Sequence, residues 1–265
     1  MTETQMIIFG VSFIFVMTTA GAALIYFFKE GLSPKLNTIF LGFAAGIMIA
    51  ASIWSLLIPA IDQSEFLGNF AFVPAALGFL LGGLFLYGID KIVPHFHSET
   101  KQEEGMKTKL SKSTKLFLAM AIHNIPEGLA VGFAFGVALV TQDATRAAAF
   151  TSALGLAIGI GLQNFPEGAA VSLPMAEELG SRNKAFGYGA FSGILEPIAA
   201  VIGIILATSL TTILPWFLAF AAGAMIYVVV EELIPDSHVS EHPHLGTWAV
   251  MVGFVIMMIL DVALG

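Results

Sequence analysis

The stretch Ala121–Val140 reads AIHNIPEGLAVGFAFGVALV, and Leu156–Met175 reads LAIGIGLQNFPEGAAVSLPM. Each belongs to a segment long enough to cross a bilayer, which takes about 20 mostly apolar residues. Each also carries a short polar word in its interior, His123–Gly128 in the first and Gln163–Gly168 in the second. A carboxylate at the centre of a membrane helix costs roughly 2.5–3.5 kcal/mol on insertion scales, so Glu127 and Glu167 demand a functional reason. On a helix, residues three and four apart share a face. His123, Asn124 and Glu127 therefore converge, as do Gln163, Asn164 and Glu167.

The rest of the chain extends this reading. Its 265 residues are 57% hydrophobic and 11% charged, with a mean hydropathy of +0.88. A soluble domain carries about 25% charged residues, so the composition is that of a polytopic membrane protein. Eight apolar runs define spans at Met6–Phe28, Leu36–Ile58, Phe72–Val93, Lys115–Val140, Ala147–Met175, Ala185–Thr208, Ile213–Ile234 and Leu245–Leu264. The expected fold is all-α: a single eight-helix domain over residues 1–265. The N-terminus has no basic region ahead of its apolar run, which reads as a retained helix and not a cleaved signal. Cysteine is absent, which excludes disulfides, thiolate sites and cysteine nucleophiles. The net charge of −8, with cations confined to short loops, gives no surface for a nucleic-acid partner.

Lysine and arginine set the expected orientation. With the N-terminus outside, Lys29, Lys35, Lys91, Lys101, Lys107, Lys109, Lys112, Lys115, Arg182 and Lys184 fall on the cytoplasmic side, and only Arg146 falls outside. The opposite orientation reverses this split against the positive-inside rule. Both termini are therefore expected to be extracytoplasmic. The segment 94–114 becomes a mobile cytoplasmic loop bearing His95 and His97. A second polar loop after the seventh span carries Asp236, His238, Glu241, His242 and His244.

Two words repeat. Leu41–Ile49 in the second span and Leu218–Ile226 in the seventh are identical at seven of nine positions, and each runs on to Leu-Ile-Pro, at Leu57–Pro59 and Leu233–Pro235. The Pro-Glu-Gly words of spans four and five form the second repeat. In the expected topology each pair is antiparallel. This implies inverted repeats, spans one to three against six to eight with four related to five, an arrangement typical of transporters with a midplane site. Small-residue faces such as Ala44-Ala45-Gly46 suit close packing, within the chain or across a homodimer.

The polar words have the chemistry of a divalent-cation site. Pro126 and Pro166 cannot donate to the carbonyls of Ile122 and Leu162, so both helices are expected to kink beside their carboxylates. Gly128 and Gly168 permit close helix approach. A third intramembrane carboxylate, Glu196, precedes Pro197 in the sixth span, and Glu231 and Glu232 lie near the cytoplasmic end of the seventh. Carboxylate, amide and imidazole together suit Zn²⁺, Fe²⁺ or Mn²⁺ better than an all-oxygen Ca²⁺ or Mg²⁺ cage. An intramembrane metallo-enzyme would need a water-activating pattern such as His-Glu-x-x-His. That pattern is absent, so an enzyme is not expected. A metal-selective channel or a membrane metal sensor remains the alternative to a carrier.

At these residues the chain resembles the ZIP family of divalent-metal transporters, in its GufA-type, mostly prokaryotic branch. The family's His-Asn-x-Pro-Glu-Gly word stands at His123–Gly128 and its second Pro-Glu-Gly word at Gln163–Gly168. The resemblance implies transport of Zn²⁺, with Fe²⁺, Mn²⁺ and Cd²⁺ as further substrates, toward the cytoplasm across a prokaryotic cytoplasmic membrane. It also implies a binuclear site. One metal would be held by His123, Glu127, Gln163 and Glu167. The second would use Asn124, Asn164 and Glu196, with Glu127 and Glu167 bridging. Asn164 stands where some members have a carboxylate, which removes one negative charge. Glu231 and Glu232 match a position that family members use beside the cytoplasmic exit, and with His238 of the polar loop that follows, read from the sequence itself, they would form an accessory metal path.

Overall fold

The computed structural model describes residues 1–28, 32–96, 103–104, 106, 108–238 and 243–264. Lys29, His97, Lys101, Lys107, Glu241 and His242, named above from the sequence, lie outside the described residues. Among the described residues the architecture is helical, with eight helices long and apolar enough to cross a membrane. They run Glu3–Tyr26, Pro34–Asp62, Phe72–Ile92, Phe117–Val140, Arg146–Ala176, Arg182–Ser209, Thr211–Ser237 and His244–Leu264. The protein is thus an integral multi-pass membrane protein, and the expected spans agree with these to within a few residues.

Local chemistry sets the helix ends. Thr2 and Gln5 form a reciprocal capping box at the start of the first span, and Ser33, Ser111 and Ser181 cap the helices that follow them. Such caps satisfy backbone N–H groups that a helix start leaves without partners. Gly180, with φ 58°, ends the fifth helix in the left-handed conformation that favours glycine. Within the segment 94–114 the described backbone includes a two-residue antiparallel ladder, His95 opposite Glu104 and Phe96 opposite Glu103. Lys115, grouped above with the loop cations, is buried at the start of the fourth span.

Glycines set the helix pairs by letting backbones touch. A Cβ on Gly46 of the second span would lie 2.0 Å from the Val250 carbonyl oxygen of the eighth, and one on Gly253 would lie 2.2 Å from that of Phe43. The seventh and third spans pack in the same manner: a Cβ on Gly223 would meet the Phe79 oxygen at 1.9 Å, and one on Gly82 the Phe220 oxygen at 2.0 Å. Spans one and five meet through Gly21 on Phe165 and Gly168 on Thr18, and spans four and six through Gly128 on Glu196 and Gly132 on Ala200. The Ala44-Ala45-Gly46 face is therefore consumed within the chain and is not left for a second copy.

Among the described residues a π-helical turn occurs twice, at Ser52–Leu57 and Val229–Leu233, each just ahead of Pro59 or Pro235. Proline cannot donate to the carbonyl four residues back, and the widened turn accommodates that interruption. The fourth and fifth helices, by contrast, continue as helix through Pro126 and Pro166. In the sixth span the hydrogen-bond ladder breaks at Ile194, between the helices Arg182–Gly193 and Leu195–Ser209, although the Ile194 backbone itself stays right-handed helical.

On the side where span one begins, Arg146 forms a bidentate pair with Glu3 at 2.7 and 2.8 Å and donates to the carbonyls of Leu139 and Thr141. It thereby ties the first span to the connection between the fourth and fifth. The ion pair is exposed, and exposed pairs contribute little, so the carbonyl contacts matter more. Arg146→Ala is expected to lower the melting temperature in detergent more than Glu3→Gln does, as measured by intrinsic-fluorescence unfolding.

Candidate metal site

The two polar words meet in the protein interior. His123, Asn124, Glu127, Gln163, Asn164, Glu167 and Glu196 are all buried. Glycine positions the carboxylates: Gly128 seats the fourth span on the Glu196 carbonyl, and Gly168 seats the fifth on the Thr18 carbonyl. The break in the hydrogen-bond ladder at Ile194 leaves Glu196 in the first turn of Leu195–Ser209. Near the same break, the Ser192 carbonyl accepts a hydrogen bond from Asn124 Nδ2 at 2.9 Å.

A chain of hydrogen bonds crosses the fifth and sixth spans. Gln163 Nε2 donates to Asn164 Oδ1 at 2.7 Å, and Asn164 Nδ2 donates to Glu196 Oε2 at 2.7 Å. The other Glu196 oxygen accepts from the Thr18 hydroxyl at 2.6 Å. Glu167 lies in the electrostatic field of Glu127, Glu196 and Glu232. On the side of the seventh span, His123 Nε2 contacts Glu232 Oε1 at 2.7 Å.

The remaining oxygens define what the site can bind. Asn124 Oδ1, both carboxylate oxygens of Glu127, Gln163 Oε1 and Glu167 Oε2 are buried with no hydrogen-bond partner. Every one of them is an acceptor, and all lie on the two repeated words. A buried acceptor without a donor forfeits its hydration, and a buried charge without a partner costs more still. Donors could relieve this, but so could one or two divalent cations. Among the described residues no three His, Asp or Glu side chains form a ready-made cluster; the convergence here depends on amide oxygens as well as carboxylates.

The accessory residues separate. Glu232 reaches His123, whereas Glu231 is exposed and lines a groove between the third and seventh spans with Phe79, Gly83 and Tyr87. The ring of His238 is engaged by the Ile234 carbonyl, Ser237 and Thr247, so it braces the seventh span against the eighth. Sequence reasoning passed over Thr18, and also Asp261, which accepts from Ser55 across the second and eighth spans. Asp261 and the buried Asp90 are carboxylates inside apolar runs, the signal that singled out Glu127.

An eight-span membrane protein with acceptor oxygens gathered at its buried centre belongs to the class of membrane proteins that handle cations. The comparisons make the class specific. The family described as ZIP zinc transporter matches residues 113–261. The chain is 38% identical to zinc transporter ZIP11 of Homo sapiens, with 97% of this chain and 96% of the relative covered. It is 36% identical to zinc transporter GufA of Myxococcus xanthus, over 88% of this chain and 89% of that one. Zinc transporter ZIPB of Bordetella bronchiseptica is 35% identical over 93% of this chain and 78% of its own length. The chain belongs to the ZIP zinc transporter family.

Proposed function

We propose that the chain is a carrier that moves Zn²⁺ toward the cytoplasm by alternating access, through the site formed by His123, Asn124, Glu127, Gln163, Asn164, Glu167 and Glu196. The observation that carries this reading is the set of buried, unpartnered acceptor oxygens on the two Pro-Glu-Gly words. A divalent cation neutralises the carboxylates and supplies what those oxygens lack. Loaded, the site crosses the hydrocarbon layer at lower cost than two bare carboxylates would.

Room for a second metal comes from Glu196, Asn164 and Asn124, with Glu127 and Glu167 shared. Fe²⁺, Mn²⁺ and Cd²⁺ are further substrates on the same donor chemistry. Glu232 beside His123 supports a role in release, since a carboxylate there competes for the imidazole. The recurrence of the glycine contacts, second on eighth as seventh on third, supports an inverted-repeat scaffold. The pairing of spans one with five and four with six supports a second bundle that carries the site past it. The orientation with both termini extracytoplasmic follows from the lysine distribution.

The test is zinc uptake into vesicles containing the purified protein, with metal content measured in parallel. A carrier gives flux that saturates at low zinc, with one or two zinc ions per chain at equilibrium. Flux that rises linearly with zinc would assign a channel instead, and zinc binding without flux would assign a sensor.

A further inference from the structure

Thr18 lies in the first span, outside both polar words and fully buried. Its hydroxyl has two acceptors within reach, Glu196 Oε1 at 2.6 Å and the Ile14 carbonyl at 3.1 Å. A hydroxyl has one proton to give, so it serves one of the two well at a time. The short distance to Glu196 shows which one it serves in this structure. Thr18 and Glu196 also occupy matching places in the packing. The glycine after Glu167 rests on the Thr18 carbonyl, as the glycine after Glu127 rests on the Glu196 carbonyl. At two corresponding positions facing each other, one helix offers a carboxylate and the other a hydroxyl.

We propose that Thr18 is a positioning residue that governs the availability of Glu196 to the cation. With the hydroxyl proton on Glu196, and Asn164 Nδ2 on the other oxygen, each carboxylate oxygen gives one of its two lone pairs to a donor. Rotation of the proton toward the Ile14 carbonyl removes that competing donor and leaves Oε1 wholly to the metal. The hydroxyl keeps a hydrogen bond in either setting, so the exchange leaves no buried donor unpaired. Valine at this position would remove the competing donor and retain the shape.

This inference rests on the transport reading, and its test separates the two. Thr18→Val and Thr18→Ser proteins are reconstituted and their zinc uptake is measured over a range of zinc concentrations. Loss of the hydroxyl is expected to lower KM by at least about tenfold, the lower end of the scale for a hydrogen bond to a charged group. It also lowers the maximal rate, because zinc leaves Glu196 more slowly. The serine protein keeps both constants at wild-type values. Thr18→Ala carries the same expectation as valine and replaces it if the valine protein fails to fold, as judged by size-exclusion profile and melting temperature. A hydroxyl-free protein with wild-type constants, or with a raised KM, overturns the proposal. A merely structural role would not divide KM from the maximal rate in this way, nor be restored by serine. If wild-type protein shows no zinc flux in these vesicles, the transport reading falls. If wild-type transports and the hydroxyl-free protein matches it, only the role of Thr18 falls.

Discussion

Glu127→Ala combined with Glu167→Ala abolishes saturable zinc uptake, with a loss of at least about a hundredfold, while the protein remains folded. Removing one partner of a buried charge interaction costs about 3–5 kcal/mol, and here the two largest anionic contributors to the site go together. Stability moves the other way. In the metal-free protein these carboxylates are buried, and three of their four oxygens have no hydrogen-bond partner. Their mutual repulsion is relieved when both become neutral. The double variant, or the closer isosteres Glu127→Gln and Glu167→Gln, is expected to melt at a higher temperature than wild type without zinc and to lose the zinc-dependent rise in melting temperature. Uptake assays and thermal unfolding with and without zinc check both halves. Wild-type uptake in the double variant would remove the site assignment, and a lower melting temperature would show that the carboxylates are held by partners.

That opposition explains why the candidate site was so legible in the sequence. A group that costs free energy where it sits stands out against an apolar run, and Glu127, Glu167 and Glu196 did. The spans were legible because the hydrocarbon layer fixes their length. Other features left weaker traces. Thr18 is inconspicuous in a helix, since threonine there routinely bonds the carbonyl four residues back; only the tertiary approach of Glu196 gives it a second acceptor. Glu231 and Glu232 are adjacent in sequence, yet one lines an outer groove and the other meets His123. A helix rotates about 100° per residue, so the division depends on the local register, and a π-helical turn at these residues shifts that register. The prolines left a trace of a different kind. Pro126 and Pro166 lie inside continuous helices, while ahead of Pro197 the hydrogen-bond ladder itself is interrupted. Proline marks a missing donor, and the surrounding packing decides how the backbone accommodates it.

The glycine after each carboxylate carries the second large effect. A Cβ at position 168 would lie 2.1 Å from the Thr18 carbonyl oxygen and 2.9 Å from the Ala22 nitrogen, and one at position 128 would lie 2.3 Å from the Glu196 oxygen. These neighbours are backbone atoms, which cannot turn aside as a side chain would. Gly168→Val must therefore separate the fifth span from the first, moving Glu167 and the Thr18 hydroxyl apart. Overpacking of this kind costs about 1–3 kcal/mol or more, and a displacement of about 1 Å is enough to disable a site that depends on converging ligands. Zinc uptake is expected to fall at least about tenfold although no proposed ligand has changed. Gly168→Ala shifts it in the same direction by less. Gly187→Ala is the control, because a Cβ there meets nothing within 4 Å, and its uptake and melting temperature should match wild type. If Gly168→Val matched wild type as well, the close contact between the first and fifth spans would not be what holds Glu167 in place. The spacing Pro-Glu-Gly would then lose the physical reason given for it, that the charge and the closest helix approach must be adjacent because each carboxylate is positioned by the backbone beside it.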